Sequence, residues 1–387
     1  MSDQPWLAAL RARAAERFAA DGWPDRRTEH WKYTSVAPIE RARLAPVEAA
    51  AQRAEVQAVR AAIAPEAADF VRDFSDLSPA LQAEVGRVAA LDGHAFAARN
   101  LLDLHDGLVI HVPRGVRVAA PIVLAWGTPA SGAARPVRVL VLAEAQAEVT
   151  VIERFDGDGE GAALTNAVTE IIARDGAQVR YAKAQLERDG AFHVGRVAIE
   201  AGRDARVEAH LLNLGGALAR TELDVALVAP GADVALKGLF GGRGARHQDQ
   251  HVTVRHQSPR ATSDQDFRGV LAAGARGVFT GLVHVAAGAH HTRATQQNRN
   301  LLLDAGAHVD TRPQLEIHND DVQCSHGATT GRLDATALFY LRSRGLDLAT
   351  ARQLLTLAFA AELTEALPDE GLRALALDRL RDAITGG

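Results

Sequence analysis

The phrase "DGAQV" (175–179) returns as "PGADV" (230–234), "AGARG" (273–277), "AGAHH" (287–291) and "AGAHV" (305–309). Each copy lies between short alternating runs rich in β-branched residues. Glycine frees the backbone from the steric limits that a Cβ imposes, so each phrase reads as a corner that ends one strand and begins the next. The intervals are unequal, which excludes a strict fixed-period repeat but fits a coil of short strands with Gly-Ala corners. A β-sandwich also gives short strands at similar spacing, so pattern alone leaves both architectures open.

Outward from the corners, the strand pattern begins near His105 with "GLVIHVPRGVRVAAPIVLAW" (107–126) and continues to about residue 323. The flanks read as helical. Apolar positions recur at helical spacing from Trp6 to Phe18, and Gly22 with Pro24 ends that segment. Helices are also expected over Pro46–Ala62 and within "SDLSPALQAEVGRVAALDG" (75–93), which has a Ser/Asp start and a Gly stop. After Gly331, Asp334 can cap "ATALFYLRSR" (335–344) and Gly345 can end it. Asp347 can cap "LATARQLLTLAFAAELTEAL" (348–367), Pro368 stops it, and "EGLRALALDRLRDAI" (370–384) follows. The expected organisation is a mainly β chain with helical ends: helical residues 1–104, a strand core over 105–330 and helical residues 331–387.

In the middle C-terminal helix, Leu348, Ala351, Leu354, Leu355, Ala358, Phe359 and Glu362 follow i, i+3, i+4 spacing. This apolar stripe is too wide for a solvated tail and must pack on the body or on a partner.

Composition narrows the function classes. The 387 residues are 47% apolar and 24% charged, which excludes a disordered chain, and aromatics at 5% leave the core to Ala, Val and Leu. A formal charge of −5 gives no field for nucleic acid or anionic lipid. Arginine far outnumbers lysine, found only at Lys32, Lys183 and Lys237, but the arginines are scattered among acids. "MSDQPWLAALRARAAERF" (1–18) lacks the apolar centre of a secretory signal, and no run approaches the ~20 apolar residues of a membrane span. With one cysteine no intramolecular disulfide can form, so a reducing cytoplasm and a free thiol are expected.

That cysteine stands in "DDVQCSHGATTG" (320–331). Cys324 and His326 share one face of an extended chain, at ~6.5–7 Å along the strand. The bland alternatives are a small buried thiol and a hydrogen-bonded imidazole. Thiolate and imidazole are also ligands for iron or zinc, but two ligands are too few for a closed zinc site or a cluster. Sharing the site across an interface would solve the shortage. A cysteine hydrolase would need His326 as base and Asp320 or Asp321 to orient it, yet a residue two along a strand points parallel to the thiol. A β-helix glycoside hydrolase using Asp320 and Asp321 as acid and base is a further alternative, set against sparse sugar-stacking aromatics.

"PQLEIHNDDVQCSHGATTGRLDATALFYLRSRGLDLATARQLLTLAFAAEL" (313–363) closely resembles the C-terminal signature of the SufB/SufD family of iron-sulfur cluster assembly proteins. "GWPDRRTEHWKYTSV" (22–36) resembles an N-terminal string of the branch that pairs with SufB. The resemblance implies a right-handed parallel β-helix between helical domains. It also implies a non-catalytic scaffold that pairs end to end with SufB and docks the SufC ATPase through its C-terminal helices. Phe339, Leu348, Leu354, Leu355 and Phe359 are the docking residues expected there. The nascent iron-sulfur cluster would be transient and shared with SufB, with His326 as this chain's ligand and Cys324 auxiliary. Asp320 and Asp321 would then be turn formers. A homodimer through the same end is the alternative pairing for the isolated chain. No "GxxxxGK[ST]" string is present, so ATP would act through SufC alone.

Overall fold

The computed structural model describes residues 4–158 and 160–385. From Leu108 to Gly331 successive strands alternate between two sheets, and each strand pairs in parallel with the strand two positions on. One column of partners runs Leu218, His247, Arg276, His308; on the opposite sheet another runs Asp233, Thr262, Arg293, Gln323. The chain is therefore a parallel β-solenoid of about eight turns, with one strand per turn in each sheet. The sandwich alternative is excluded by this parallel order.

The corner phrases explain the coil. Ala177, Ala232, Ala275 and Ala289 are fully buried and Ala307 nearly so, because the residue after the bend turns its methyl into the core. Gly176 and Gly231 hold positive φ, which a Cβ would penalise. The same corner occurs at Ala147, Ala205 and Ala261, where Gln146, Asp204 and Arg260 take the left-handed conformation without glycine. Between corners the interior is filled by ladders such as Val197, Leu223, Val252 and Ile199, Val225, Val254.

Helical segments cover the outer faces of both sheets. The C-terminal helices Ala335–Ser343, Leu348–Glu365 and Glu370–Thr385 follow the expected caps: Asp334 accepts from the Ala337 N–H at 2.8 Å and Asp347 from the Thr350 N–H at 2.9 Å. Ala360, Leu363, Leu367, Leu372 and Leu380 pack on Leu212, Leu239, Val270 and Leu301 of the eight-stranded sheet.

The N-terminal segments lie on the other sheet and also add strands to it. Ala45–Pro46 pairs with Ala133 and Ala134, so the helix expected from Pro46 begins only at Ala49. Val71–Asp73 pairs antiparallel with Leu108–Ile110. Helix Ala95–Asp103, absent from the sequence reading, sets Asn100 across two strands, its amide donating to the Val137 and Asn166 carbonyls at 3.0 and 2.8 Å. In the stretch 75–93 only Pro79–Glu84 is an α-helix. It ends there because the buried Glu170 carboxylate accepts from the N–H groups of Gly86, Val88 and Ala89 at 2.8, 2.9 and 3.0 Å. Donors bound to a carboxylate cannot continue a helical ladder. Among the described residues no helix is long and apolar enough to cross a membrane.

Several imidazoles are folded into this structure in neutral form. Burial pushes His193, His251 and His256 down to about 4 each, with Lys183 adding to the effect at His193 and Arg220 at His251. The unfolded chain therefore binds more protons than the folded one between about 4 and 6.5, and stability falls as pH drops through that window. Each group can contribute up to about 3 kcal/mol to that loss. Denaturation midpoints are expected to be flat just above pH 7 and to fall steeply below 6.5; a midpoint unchanged down to pH 4.5 would refute the burial account.

Candidate functional site

The last turn of the solenoid, His308–Ile317 and Val322–Gly331, pairs on one side only, with Arg276–Val285 and Thr292–Leu302. No further strand among the described residues covers it. The preceding turn buries Val283, Val285, Ala294, Gln296 and Asn298, whereas every residue of the last turn is at least partly exposed. A solenoid interior ends here in open columns.

Cys324 and His326 continue two of these columns. Register places Cys324 beyond Val207, Val234, Ser263 and Ala294, and His326 beyond Ala209, Leu236, Gln265 and Gln296. Cys324 is half-buried against a cluster of Val283, Val285, Ala289 and Ala294, with Leu315 and Val322 beside it. Burial pushes its thiol up, and a backbone hydrogen bond from Ala294 only partly offsets this. His326 is exposed. The strand thus brings the two sequence-picked side chains to one face of one edge. Neither belongs to a three-ligand group among the described residues; the groups whose ligand atoms lie within 4.8 Å of one another are His30, His94, Glu222 and His284, Glu316, His318.

Asp320 and Asp321 sit in the bend between the last two strands. Asn319 accepts from the Asp321 N–H at 2.9 Å, the Asp321 carbonyl accepts from the His291 N–H at 2.7 Å, and its carboxylate meets the His291 ring at 2.9 Å. Both aspartates line a cleft with Arg260, His291 and Arg293, and no Trp, Tyr or Phe is among the described residues that line it.

The polar interior behind the edge was missed by sequence reasoning. Gln296 donates to Gln265 at 3.0 Å, Thr311 to Asn298 at 2.8 Å and Asn300 to Asn298 at 2.6 Å. In "TQQNRN" (295–300) these amides look like a solvent face, and only the parallel register reveals that they point inward.

The N-terminal string serves as a strap. Trp31 is buried, stacks on Phe96 at 5.2 Å and lies under the Arg220 guanidinium at 4.2 Å. Arg220 also donates to the His30 carbonyl at 2.8 Å, and Thr34 donates to the buried Asp249. At its outer end Glu29 pairs with Arg312 of the last turn.

On the C-terminal helices, Phe339, Leu348 and Leu354 are 73%, 49% and 46% exposed, and Tyr340 beside them 56%. Leu355 and Phe359 are half-buried, Phe359 with its ring 5.7 Å from the Arg268 guanidinium. The face of Leu348–Glu365 that is buried is Ala351, Thr356, Ala360, Leu363 and Thr364, so most of the expected stripe faces outward.

The family described as "SUF system FeS cluster assembly, SufBD core domain" matches residues 127–359. The chain is 33% identical to the iron-sulfur cluster assembly protein SufD of Escherichia coli (strain K12) over 96% of this chain and 92% of that protein. It is 29% identical to the chloroplastic protein ABCI7 of Arabidopsis thaliana over 98% and 86% of the two chains. Identity to SufD of Bacillus subtilis (strain 168) is 29%, over 73% of this chain and 65% of that one.

Proposed function

Because the chain belongs to the SufBD core-domain family of the SUF iron-sulfur cluster assembly system, we propose that it is a non-catalytic scaffold subunit that pairs with SufB through its last solenoid turn and docks the SufC ATPase on its C-terminal helices. The observation that carries this reading is the uncovered last turn. An uncovered strand edge presents unpaired N–H and C=O groups that a second chain can complete, and a lone protein avoids leaving one open. SufB supplies the covering turns.

In that complex His326 coordinates the nascent cluster from this side and Cys324 has an auxiliary part, while SufB brings the remaining ligands. The cluster is cargo, assembled and released. Asp320 and Asp321 serve as turn formers, as the hydrogen bonds of Asp321 with Asn319 and His291 support, and among the described residues the cleft they line holds no Trp, Tyr or Phe on which a sugar could stack. The work takes place in the cytoplasm. Anaerobic co-expression with SufB and SufC from the same genome is expected to yield a complex of all three chains; recovery of this chain alone, as a monomer or homodimer, overturns the reading.

SufC docking is assigned to the exposed face of Phe339, Leu348 and Leu354, with Leu355 and Phe359 at its margin. A charge placed on an apolar docking face opposes its desolvation. The double variant Phe339→Glu, Leu354→Glu is expected to lose SufC from the purified complex while retaining SufB. Wild-type amounts of SufC on the variant would remove the assignment.

A further inference from the structure

A second cluster of metal-binding side chains lies on the outer face of the other sheet, away from Cys324 and His326. His284 and Glu316 are direct lateral partners on the last two strands of the ten-stranded sheet, and His318 is two residues beyond Glu316. Lateral neighbours and residues two apart share a face, so the backbone itself gathers the three side chains. The His318 Nε2 is 2.9 Å and the His284 Nε2 3.9 Å from the same Glu316 oxygen, and the two rings are 5.3 Å apart. Ligands held at about 2.0–2.2 Å from one ion lie roughly 3–3.5 Å from each other, so these separations need only small side-chain adjustment.

We propose that His284, Glu316 and His318 form a binding site for a first-row divalent transition ion, with two imidazoles and one carboxylate as ligands and the remaining position open to solvent. The donor set favours Zn²⁺, Fe²⁺ or Co²⁺ over Mg²⁺ or Ca²⁺, which take oxygen ligands. All three side chains are partly exposed, so an ion can enter without a conformational change. The carboxylate is available as well: the ion pairs of Glu316 are with these two histidines, and the neighbouring Arg255 is engaged with Asp224 at 3.4 Å.

The comparable group His30, His94, Glu222 lacks this availability. Arg220 donates to Glu222 at 2.8 and 3.0 Å, and the His30 Nε2 is bonded to the Gly93 carbonyl at 3.0 Å. A buried guanidinium on the carboxylate opposes a second cation there.

The site belongs to this chain alone and does not depend on pairing with SufB. Its test uses the tag-free full-length chain titrated with Co²⁺, followed by visible absorption and competition with Zn²⁺. One equivalent is expected to bind, with affinity at least about tenfold weaker in both His318→Ala and Glu316→Gln and unchanged in His326→Ala. Circular dichroism confirms that the variants are folded. Equal affinity in wild type and both variants, or no cobalt binding by the wild type, overturns the proposal. Loss in His326→Ala instead would place the bound ion at the end of the solenoid and overturn it too.

Discussion

Replacing Glu170 by Ala is expected to cost about 3–5 kcal/mol of stability, the range for breaking a buried ion pair by removing one partner. Glu170 and Arg138 are both fully buried, and they meet at 2.6 Å on the outer face of the ten-stranded sheet. Burial alone would raise the Glu170 carboxyl. The Arg138 guanidinium and the N–H groups of Ala89 and Gly86 outweigh it and hold the group below the ordinary carboxylate range. Removing the carboxylate leaves a buried guanidinium whose remaining partner is Asn100 at 3.3 Å, and three backbone donors at Gly86, Val88 and Ala89 without their acceptor. Each orphaned donor adds to the loss.

The damage should be local first. Hydrogen exchange is expected to accelerate at Gly86, Val88 and Ala89 and across helix Ala95–Asp103, while the interior ladders around Val225 and Val254 stay protected until global unfolding. A companion double variant, Glu170→Met with Arg138→Met, removes the uncompensated charge but not the orphaned donors, so it should recover only part of the loss. A cost for Glu170→Ala below about 1 kcal/mol would show that the pair does not hold the N-terminal cover in place.

What the sequence disclosed and what it hid divide along sequence distance. Asp334, Gly345 and Asp347 act within one helical turn of themselves, so their caps could be read directly. The Gly-Ala corners were legible for the same reason. Corners at Gln146, Asp204 and Arg260 were not, because the left-handed conformation there is imposed by the coil and carries no glycine to announce it. The helix expected to Gly93 fails because its acceptor is Glu170, supplied from another part of the chain. In Leu348–Glu365, leucines at 348, 354, 355, 357 and 363 leave no polar half, so periodicity could not choose the face that packs. Of the expected stripe Ala351 is buried, and Thr356, Ala360, Leu363 and Thr364, all outside it, form the rest of the packed face. At the candidate site, Cys324 and His326 could be placed on one face from their spacing alone. That this face lies at the open end of a polar column through Gln265 and Gln296 required the register.

His326→Ala is expected to leave the fold and the three-chain complex intact and to reduce the iron retained by the complex at least about tenfold. The fold should survive because His326 is exposed and no further turn among the described residues packs on it, and exposed substitutions usually change stability by less than about 0.5 kcal/mol. Iron should be lost because the edge offers few alternatives. Cys324 is half-buried with its thiol pushed up, so less of it is thiolate near neutral pH, and Asp321 is occupied by His291. Cys324→Ser should accordingly retain more iron than His326→Ala. Measuring iron per complex in the anaerobically purified wild type and both variants, at matched subunit stoichiometry, separates the roles. Full iron in His326→Ala with loss in Cys324→Ser would reverse them, and full iron in both would move the cluster away from the end of this solenoid.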